Sequence, residues 1–304
     1  MKTRLRDYMH EPLLRTFGPL REVSTSALTI LTWNVGQGTK VEAIVEALQG
    51  PLRADLYALQ EVDRYTRRSG YQDLPKKIAR QLGVDYVFGA EFKELAQGGA
   101  FDLPLHGQMI LSRLPIRSTR IVRFRHQPHN WGGWWKPRLT FFQPRRGGRM
   151  TLVAELQWRD SNLVLYNTHL ESQASDHDRA LQMSEILDDL WPRYPPGTPI
   201  IIAGDFNTKE GHRSAVIRLL QAAAFTDVLE TALGALHTSP KSEQRLDWIF
   251  VRGLQPRDAR IHPLEVSDHF PVSSAISMAR HVELKTESSL ATQTYREEGE
   301  NHED

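Results

Sequence analysis

The run from Pro199 to Thr208, PIIIAGDFNT, constrains the fold more than any other stretch of this chain. Its consecutive isoleucines are typical of a short strand buried on both faces, which needs packed layers above and below it. Gly204 then lets the backbone turn sharply where the strand ends. Asp205 and Asn207 follow two residues apart, so in extended chain their side chains point the same way. This pattern fits either a simple turn or a site for a hard cation or an activated water.

The chain has 304 residues, enough to bury a large core, and its 40% hydrophobic and 25% charged residues are typical of globular proteins. It contains no cysteine, which excludes disulfides, thiolate nucleophiles and thiolate metal sites. Any metal must therefore bind to carboxylate, amide or imidazole groups. No apolar run reaches the roughly 18 residues of a membrane-spanning helix, and the first residues lack a signal-peptide pattern. We therefore expect a soluble, cytoplasmic monomer.

Strand and helix patterns alternate along much of the chain, and hairpin-like strand pairs occur around residues 150–170 and 246–278. This mixture indicates packed sheets flanked by helices rather than one purely parallel sheet. The predicted early strands are Leu28–Trp33, a run from Asp55 that ends at Glu61, Val84–Gly89 and Gln108–Ser112. The predicted helices are Lys40–Leu48, Asp73–Leu82, His177–Trp191 and Arg213–Ala224.

The domain organisation is predicted from composition. Residues 1–26 resemble an arm or an edge addition, and residues 27–280 form the folded domain. A basic, aromatic insertion is expected near residues 113–149. The tail, residues 281–304, is polar and acidic with little apolar content, and we expect it to be disordered.

Positive charge is concentrated in one interval of the sequence. No acidic residue lies between Asp102 and Glu155, and the segment Arg123–Arg149, here called the basic aromatic segment, interleaves arginines with tryptophans. Cations beside aromatic faces fit a nucleic-acid groove, and the same residues fit an anionic lipid surface. A third interpretation is a structural insertion whose tryptophans pack on the sheet. The substrate-binding residues predicted here are Arg123, Arg125, Trp134, Trp135 and Lys136.

Several apolar runs end in a residue that can bind a metal or transfer a proton. Each one alone has an ordinary explanation, such as a turn cap, a helix start or a hydrogen-bonded hairpin histidine. Their joint placement favours a site, because strand ends that meet at one edge of a sheet are where such proteins bind ligands. The set comprises Asn34, Glu61, His169, Asp205, Asn207, Asp247, Asp268 and His269.

These residues lie in motifs that resemble a known family. In chain order the motifs are TWNV, ALQEVD, LSRLPI, NTHLES, IIAGDFNT, RLDWIFV and VSDHFPV, spread from residue 32 to residue 272. Together they resemble the endonuclease/exonuclease/phosphatase superfamily, which has the DNase-I-like fold. The resemblance implies an α/β four-layer sandwich, with two packed mixed β-sheets flanked by helices. It also implies divalent-metal-dependent hydrolysis of phosphate esters.

The resemblance further implies a metal site for Mg²⁺ or Mn²⁺. Glu61 would be its principal carboxylate, with Asn34 close by and Asp268 completing the metal environment. Substrate contacts are expected in or next to the same motifs, at Arg113, Ser172 and Lys209.

Catalytic roles follow from the same resemblance. Asp205 would orient or deprotonate the attacking water, and Asn207 would hold that water or a phosphate oxygen. His269, oriented by Asp247, would contact the phosphoryl group. His169 would stabilise charge or assist the leaving group.

The subfamily and the substrate stay open at this point. His169 stands where the branch resembling exonuclease III usually has a tyrosine, which disfavours that branch. Thr208 and Lys209 stand where the tyrosyl-DNA phosphodiesterases tend to have an arginine. We expect a nuclease or a nucleic-acid phosphodiesterase, with a phospholipid or inositol-phosphate hydrolase as the alternative enzyme. A non-catalytic binding module is the third hypothesis, disfavoured because no position of the metal and histidine set is substituted.

Overall fold

A computed structural model of the chain describes residues 8–17, 26–99, 103–129, 144–232 and 236–279. Two mixed β-sheets pack face to face, and helices cover both outer faces. This arrangement confirms the predicted four-layer α/β sandwich. Trp134, Trp135, Lys136 and the tail 281–304 lie outside the described residues, so the predictions made for them stay predictions.

The first sheet has eight strands, and its edge includes part of the predicted N-terminal arm. Its two parallel neighbours, Ala27–Asn34 and Leu56–Arg64, run towards the same edge. In spatial order the strands are β1 (Leu13–Arg15), β4 (Asp85–Glu94), β5 (Leu105–Ser112), β3 (Leu56–Arg64), β2 (Ala27–Asn34), β14 (Val272–Met278) and β13 (Leu254–Ile261), and β7 (Arg145–Gly147) pairs with β4.

The second sheet has six strands. It contains the hairpin predicted around residues 150–170, which is confirmed. In spatial order the strands are β11 (Thr226–Asp227), β12 (Asp247–Arg252), β10 (Ile200–Asp205), β9 (Ser161–His169), β8 (Met150–Trp158) and β6 (Ile116–Arg123). Since β6 and β7 are strands of the two sheets, both ends of the region predicted as an insertion belong to the sandwich.

The predicted helices are confirmed, with ends shifted by at most two residues. Asp73 caps one helix by accepting a hydrogen bond from the Lys76 amide, and Ser175 and Asp178 form a capping box on another. Within the described part of the chain, no helix combines the length and the apolar composition that a membrane span requires. The helices are α1 (Val41–Gln49), α2 (Leu74–Leu82), α3 (Asp176–Leu190) and α4 (Ala215–Ala222).

The core between the sheets is apolar except at one end. At the end where β3, β9 and β10 finish, Gln60 and Asn167 form a polar bridge between the two sheets. Gln60 Nε2 lies 2.7 Å from Asn167 Oδ1, and Asn167 Nδ2 donates to the carbonyls of Leu59 and Met109. Both side chains are fully buried, and these partners satisfy most of their polar atoms. This bridge separates the apolar core from the polar residues described next.

Candidate active site

Strand register brings three of the predicted residues side by side. Asp205, at the end of β10, pairs with His169 of β9 on one side and with Asp247 of β12 on the other. Because β9 and β10 are parallel, both deliver a side chain at the same sheet edge, and the antiparallel β12 begins there. Asn34, at the end of β2, approaches from the other sheet.

Asp205 lies at the centre of this group and is 1% exposed. Its Oδ2 accepts a hydrogen bond from Asn34 Nδ2 at 3.1 Å, and its Oδ1 accepts one from the Asn207 amide at 3.0 Å. The Nε2 atoms of His169 and His269 lie 3.4 Å and 3.8 Å from Oδ2. Two amides and two imidazoles thus surround one buried carboxylate.

Burial and neighbouring charge set the protonation states. The pKa of Asp205 is raised from 3.8 to about 7, mainly by burial; the charge of His269 lowers this pKa and the charge of Asp247 raises it. Burial lowers the pKa of His269, but Asp247 and Asp205 outweigh it and raise the pKa to about 10. His269 Nδ1 lies 2.7 Å from Asp247 Oδ2, which fixes the ring. At neutral pH, therefore, Asp205 can exchange a proton while His269 is a cation.

His169 differs from His269 in charge. Burial lowers its pKa well below 6.5, and the charges of Arg149 and His106 lower it further. Its Nδ1 has no hydrogen-bond partner among the described residues. His169 is therefore a neutral imidazole beside Asp205, and the two histidines of the site have different states.

Glu61 is placed by a β-bulge rather than by the end of a strand. The register between β3 and β5 shifts between Leu59 and Val62, and Glu61 has a φ of 56°. The prediction that the strand ends at Glu61 is wrong, because β3 continues to Arg64. Bulges redirect side chains next to active sites, and a left-handed non-glycine residue carries a backbone cost.

The Glu61 carboxylate is the group that best fits a cation. Glu61 is only partly exposed, and no described residue forms a hydrogen bond or an ion pair with it. A half-buried carboxylate normally has a partner, so this one is suited to a hard cation.

Asn34 and Asp268, the other predicted metal residues, lie at the same sheet edge. The Oγ of Ser267 donates to the Asn34 carbonyl at 2.7 Å and contacts Asp268 Oδ1 at 3.2 Å. Asp268 is exposed, so it lies at the rim, whereas Asn34 is buried. This set offers oxygen donors only, which suits Mg²⁺ or Mn²⁺.

A second set of potential ligands is less suitable. Asp205, Asp247 and His269 place ligand atoms within 4.8 Å of one another. However, Asp247 Oδ2 and His269 Nδ1 already share a 2.7 Å hydrogen bond, and the charge on His269 would repel a cation. These residues are better arranged for proton transfer than for metal binding.

Of the predicted substrate contacts, Ser172 and Lys209 lie beside the site and Arg113 does not. Ser172 is in the turn after β9, and Lys209 is exposed two residues after Asn207. Arg113 follows β5 at the opposite end of the sheet from Glu61, where its Nε donates to the Ala54 carbonyl at 3.2 Å.

The described arginines of the basic aromatic segment are largely occupied. Arg123 donates to four backbone carbonyls, those of Met9, Ala90, Glu91 and Gly148, at 2.6 to 3.4 Å. Those of Ala90 and Glu91 lie where the β4–β5 register shifts, so the ladder is irregular there. Burial lowers the pKa of Arg123. The prediction that Arg123 lines a phosphate track is therefore wrong, because its donors are used inside the protein.

Other members of the segment differ in their availability. Arg145 and Arg149 are nearly buried, and they pair with Glu94 at 3.5 Å and with Glu91 at 3.2 Å. Arg125 is 82% exposed, and its Nε lies 3.5 Å from Glu185 Oε2. The concentration of charge seen in the sequence is thus partly an internal ion network. Buried Arg149 was not predicted as a neighbour of the site, although its charge helps to lower the pKa of His169. The only feature of the sequence that could have indicated this is its position directly before strand β8.

Arg123→Met should lower the free energy of unfolding by about 2 to 4 kcal/mol, because several buried carbonyls lose their donor. The matched control is Arg146→Met, since Arg146 is exposed and forms no ion pair with the described residues. That control should change stability by less than about 0.5 kcal/mol. Urea unfolding of both variants gives the comparison, and equal stabilities would contradict a structural role for Arg123.

The sequence pattern of the Endonuclease/Exonuclease/phosphatase family matches residues 31–269, from within β2 to the second histidine of the site. The chain belongs to this family. Members of the family are generally phosphoric ester hydrolases. No curated protein matches the sequence significantly.

Solved structures of the family share the fold of this chain. The endonuclease/exonuclease/phosphatase from Beutenbergia cavernae DSM 12333 has a TM-score of 0.65 and 18% identity, covering 84% of this chain and 72% of that one. The human Nocturnin catalytic domain with bound sulfate has a TM-score of 0.61 and 15% identity, covering 90% and 98%. D. rerio TDP2 with a single-strand DNA product has a TM-score of 0.58 and 20% identity, covering 84% and 100%. At these identities the likeness concerns the fold.

Proposed function

We propose that this protein is a divalent-metal-dependent phosphodiester hydrolase. The observation that carries this proposal is the buried Asp205 carboxylate, whose pKa is raised to about 7 beside a cationic His269. Strongly perturbed groups that converge at one sheet edge are typical of catalytic sites. The Glu61 carboxylate has no hydrogen-bond or ion-pair partner in the described part of the chain, which supports the metal dependence.

Asp205 is the proposed general base. A base with a pKa of about 7 is half ionised at neutral pH, so it can remove a proton from an attacking water. Asn34 and the Asn207 amide hold its two oxygens, which fixes the direction of proton transfer. The Asn207 side chain donates to the Leu170 carbonyl at 3.1 Å, which leaves its amide oxygen for a water or a phosphate oxygen.

His269 is the proposed contact for the phosphoryl group. Asp247 holds its Nδ1, so Nε2–H is the donor that can reach a negatively charged oxygen. Neutral His169 is suited to a different task, a hydrogen bond from Nε2–H that stabilises a leaving oxygen. The two imidazoles thus divide the charge stabilisation between them.

Glu61 would hold the metal, with Asn34 and Asp268 nearby. Their oxygen donors suit Mg²⁺ or Mn²⁺, and a bound cation would offset the negative charge that develops on the phosphoryl oxygens. Glu61 is held in its bulge at a backbone cost, which supports a functional reason for its placement.

Nucleic acid is the proposed substrate. Support comes from the similar fold of D. rerio TDP2, which was solved with a single-strand DNA product. Exposed cations beside the sheets, at Arg125, Arg146 and Lys209, can contact phosphates, whereas Arg123 and Arg145 are engaged internally. The alternative substrate is an anionic phospholipid.

The proposal predicts Mg²⁺-dependent, chelator-sensitive hydrolysis in a substrate panel. The panel contains single-stranded DNA, duplex DNA, RNA, phosphotyrosyl-DNA, phospholipid vesicles and bis(p-nitrophenyl) phosphate. We expect cleavage of at least one nucleic acid and no turnover of the vesicles. Turnover of vesicles alone would contradict the proposal that nucleic acid is the substrate. No turnover of any ester with Mg²⁺ or Mn²⁺ would contradict the proposal that the protein is a phosphodiester hydrolase.

A further inference from the structure

A second buried carboxylate–histidine pair lies in the first sheet. His106 of β5 and Asp63 of β3 are cross-strand neighbours, and His106 Nδ1 lies 2.7 Å from Asp63 Oδ1. The pair between His269 and Asp247 has the same separation. His106 is 2% exposed and Asp63 is fully buried.

The Asp63 carboxylate is saturated with donors. Its Oδ2 accepts from Thr66 Oγ1 and Arg68 Nε, both at 2.6 Å, and its Oδ1 accepts from Arg68 Nη2 at 2.8 Å. Asp63 accepts all of these hydrogen bonds, and it holds a proton of His106 on Nδ1.

The other ring nitrogen of His106 has no such partner among the described residues. No hydrogen bond is made to Nε2, and Nε2 is not one of the buried polar atoms that lack a partner, so it is open to solvent. The rest of the ring is almost completely buried and stacks on Phe92 at 6.2 Å. A ring that is clamped at Nδ1 and free at Nε2 is arranged to receive a group from outside the protein.

His106 lies on the Glu61 side of the candidate active site. Asp63 follows Glu61 by two residues, and Val62 between them packs in the core between the first sheet and its helices. Asp63 and its neighbour His106 therefore face the space between the sheets. Arg149 links the two histidines: its guanidinium lies 5.6 Å from the Phe92 ring, on which His106 stacks, and its Nε lies 3.7 Å from Glu171 Oε2, two residues after His169.

We propose that His106 is a further substrate-contacting residue: with a proton on each ring nitrogen, it would donate Nδ1–H to Asp63 and Nε2–H to an anionic oxygen of the phosphate ester. This inference rests on the proposed function and adds a third imidazole to His269 and His169. An imidazolium between a carboxylate and a phosphate oxygen makes charge-assisted hydrogen bonds to both. The hydrogen bonds around Asp63 would hold the His106 ring in this orientation.

Two amide substitutions separate a substrate contact from a structural role. His106→Asn keeps an amide nitrogen near the position of Nδ1, so it preserves the bond to Asp63 and deletes Nε2. His106→Gln carries its amide at the level of Nε2 and gives up the bond to Asp63. The measurements are kcat/KM for bis(p-nitrophenyl) phosphate in saturating Mg²⁺, the melting temperature, and its increase with inorganic phosphate and Mg²⁺.

We expect His106→Asn to melt within about 2 °C of the wild type and to lose roughly 10- to 100-fold in kcat/KM, together with the stabilisation by phosphate. His106→Gln should melt lower and yet keep more activity than His106→Asn. The reverse order of activities, or equal stabilisation of wild type and His106→Asn by phosphate, would overturn the inference.

The proposed function can fail separately. In one outcome the wild type hydrolyses no ester and is still stabilised by phosphate. If His106→Asn then lost that stabilisation, the proposed enzymatic activity would be refuted and the phosphate contact of His106 would be supported. A wild type with neither property would refute both.

Discussion

Replacing Asp205 with asparagine should lower kcat by about 10³-fold or more, because the variant loses the proposed general base at the reacting centre. The fold should persist, since the side chain keeps its shape. One local cost is expected: Asn34 Nδ2 and the Asn207 amide each donate to one carboxylate oxygen, so the new NH₂ group must face a donor. We expect this mismatch to lower the free energy of unfolding by about 1 to 3 kcal/mol.

The pH dependence gives this prediction its sharpest measurement. Wild-type kcat should rise as the pH increases to about 7, because Asp205 accepts a proton only when ionised and burial raises its pKa to about 7. The rate should fall as the pH approaches 10, where His269 loses its proton. The variant should lack the rising limb. A matched control is Asp160→Asn, an exposed position in the β8–β9 turn.

The double variant Asp205→Asn with His269→Ala tests whether both residues act in one step. The two side chains approach within 3.8 Å and influence each other's pKa. Residues that serve the same step are strongly non-additive, so the double variant should be little slower than the slower single variant. Losses that multiply would indicate two independent sites.

Much of the fold was predictable because β-branched runs and helix caps are local signals. The isoleucines of β10 and the spacing of Asp205 and Asn207 are sufficient to predict a buried strand that delivers polar groups at its end. The edge at which strands meet is also predictable, because parallel strands end together. His169 and Asp205 are accordingly neighbours in register.

The bulge at Glu61 was not predictable in the same way. A bulge is defined by pairing with another strand, and β5 lies more than forty residues away along the chain. The apolar pattern of β3 gives no sign of the extra residue. A carboxylate directly after an apolar run is a residue type that predicts a site. That a bulge positions this carboxylate could be seen only in the tertiary structure.

Charge was the least reliable guide. Arg123 and Arg149 contribute to the same basic run as exposed Arg146, but the first binds backbone carbonyls and the second pairs with Glu91. A count of charges along the sequence does not distinguish a buried guanidinium from a solvated one, because their partners come from distant strands.

Glu61→Gln should abolish the stabilisation of the protein by Mg²⁺ and lower kcat/KM at limiting Mg²⁺ by about 10²- to 10³-fold, since the variant loses the charge of the proposed principal ligand. Without metal, its free energy of unfolding should change by less than about 1 kcal/mol, because Glu61 has no hydrogen-bond or ion-pair partner among the described residues.

Thermal melting in chelator and in Mg²⁺ measures this difference directly. A ligand that binds only the folded state stabilises it by about 2.7 kcal/mol at a hundred times its Kd, so the wild type should melt higher as Mg²⁺ is added. Glu61→Gln should melt at the same temperature in both solutions. Glu265→Gln is the matched control, because Glu265 is an exposed carboxylate in the loop before Asp268, and it should respond to Mg²⁺ as the wild type does. If Glu61→Gln were stabilised equally, the metal would bind to other groups, and the alternative set of Asp205, Asp247 and His269 would become the candidate.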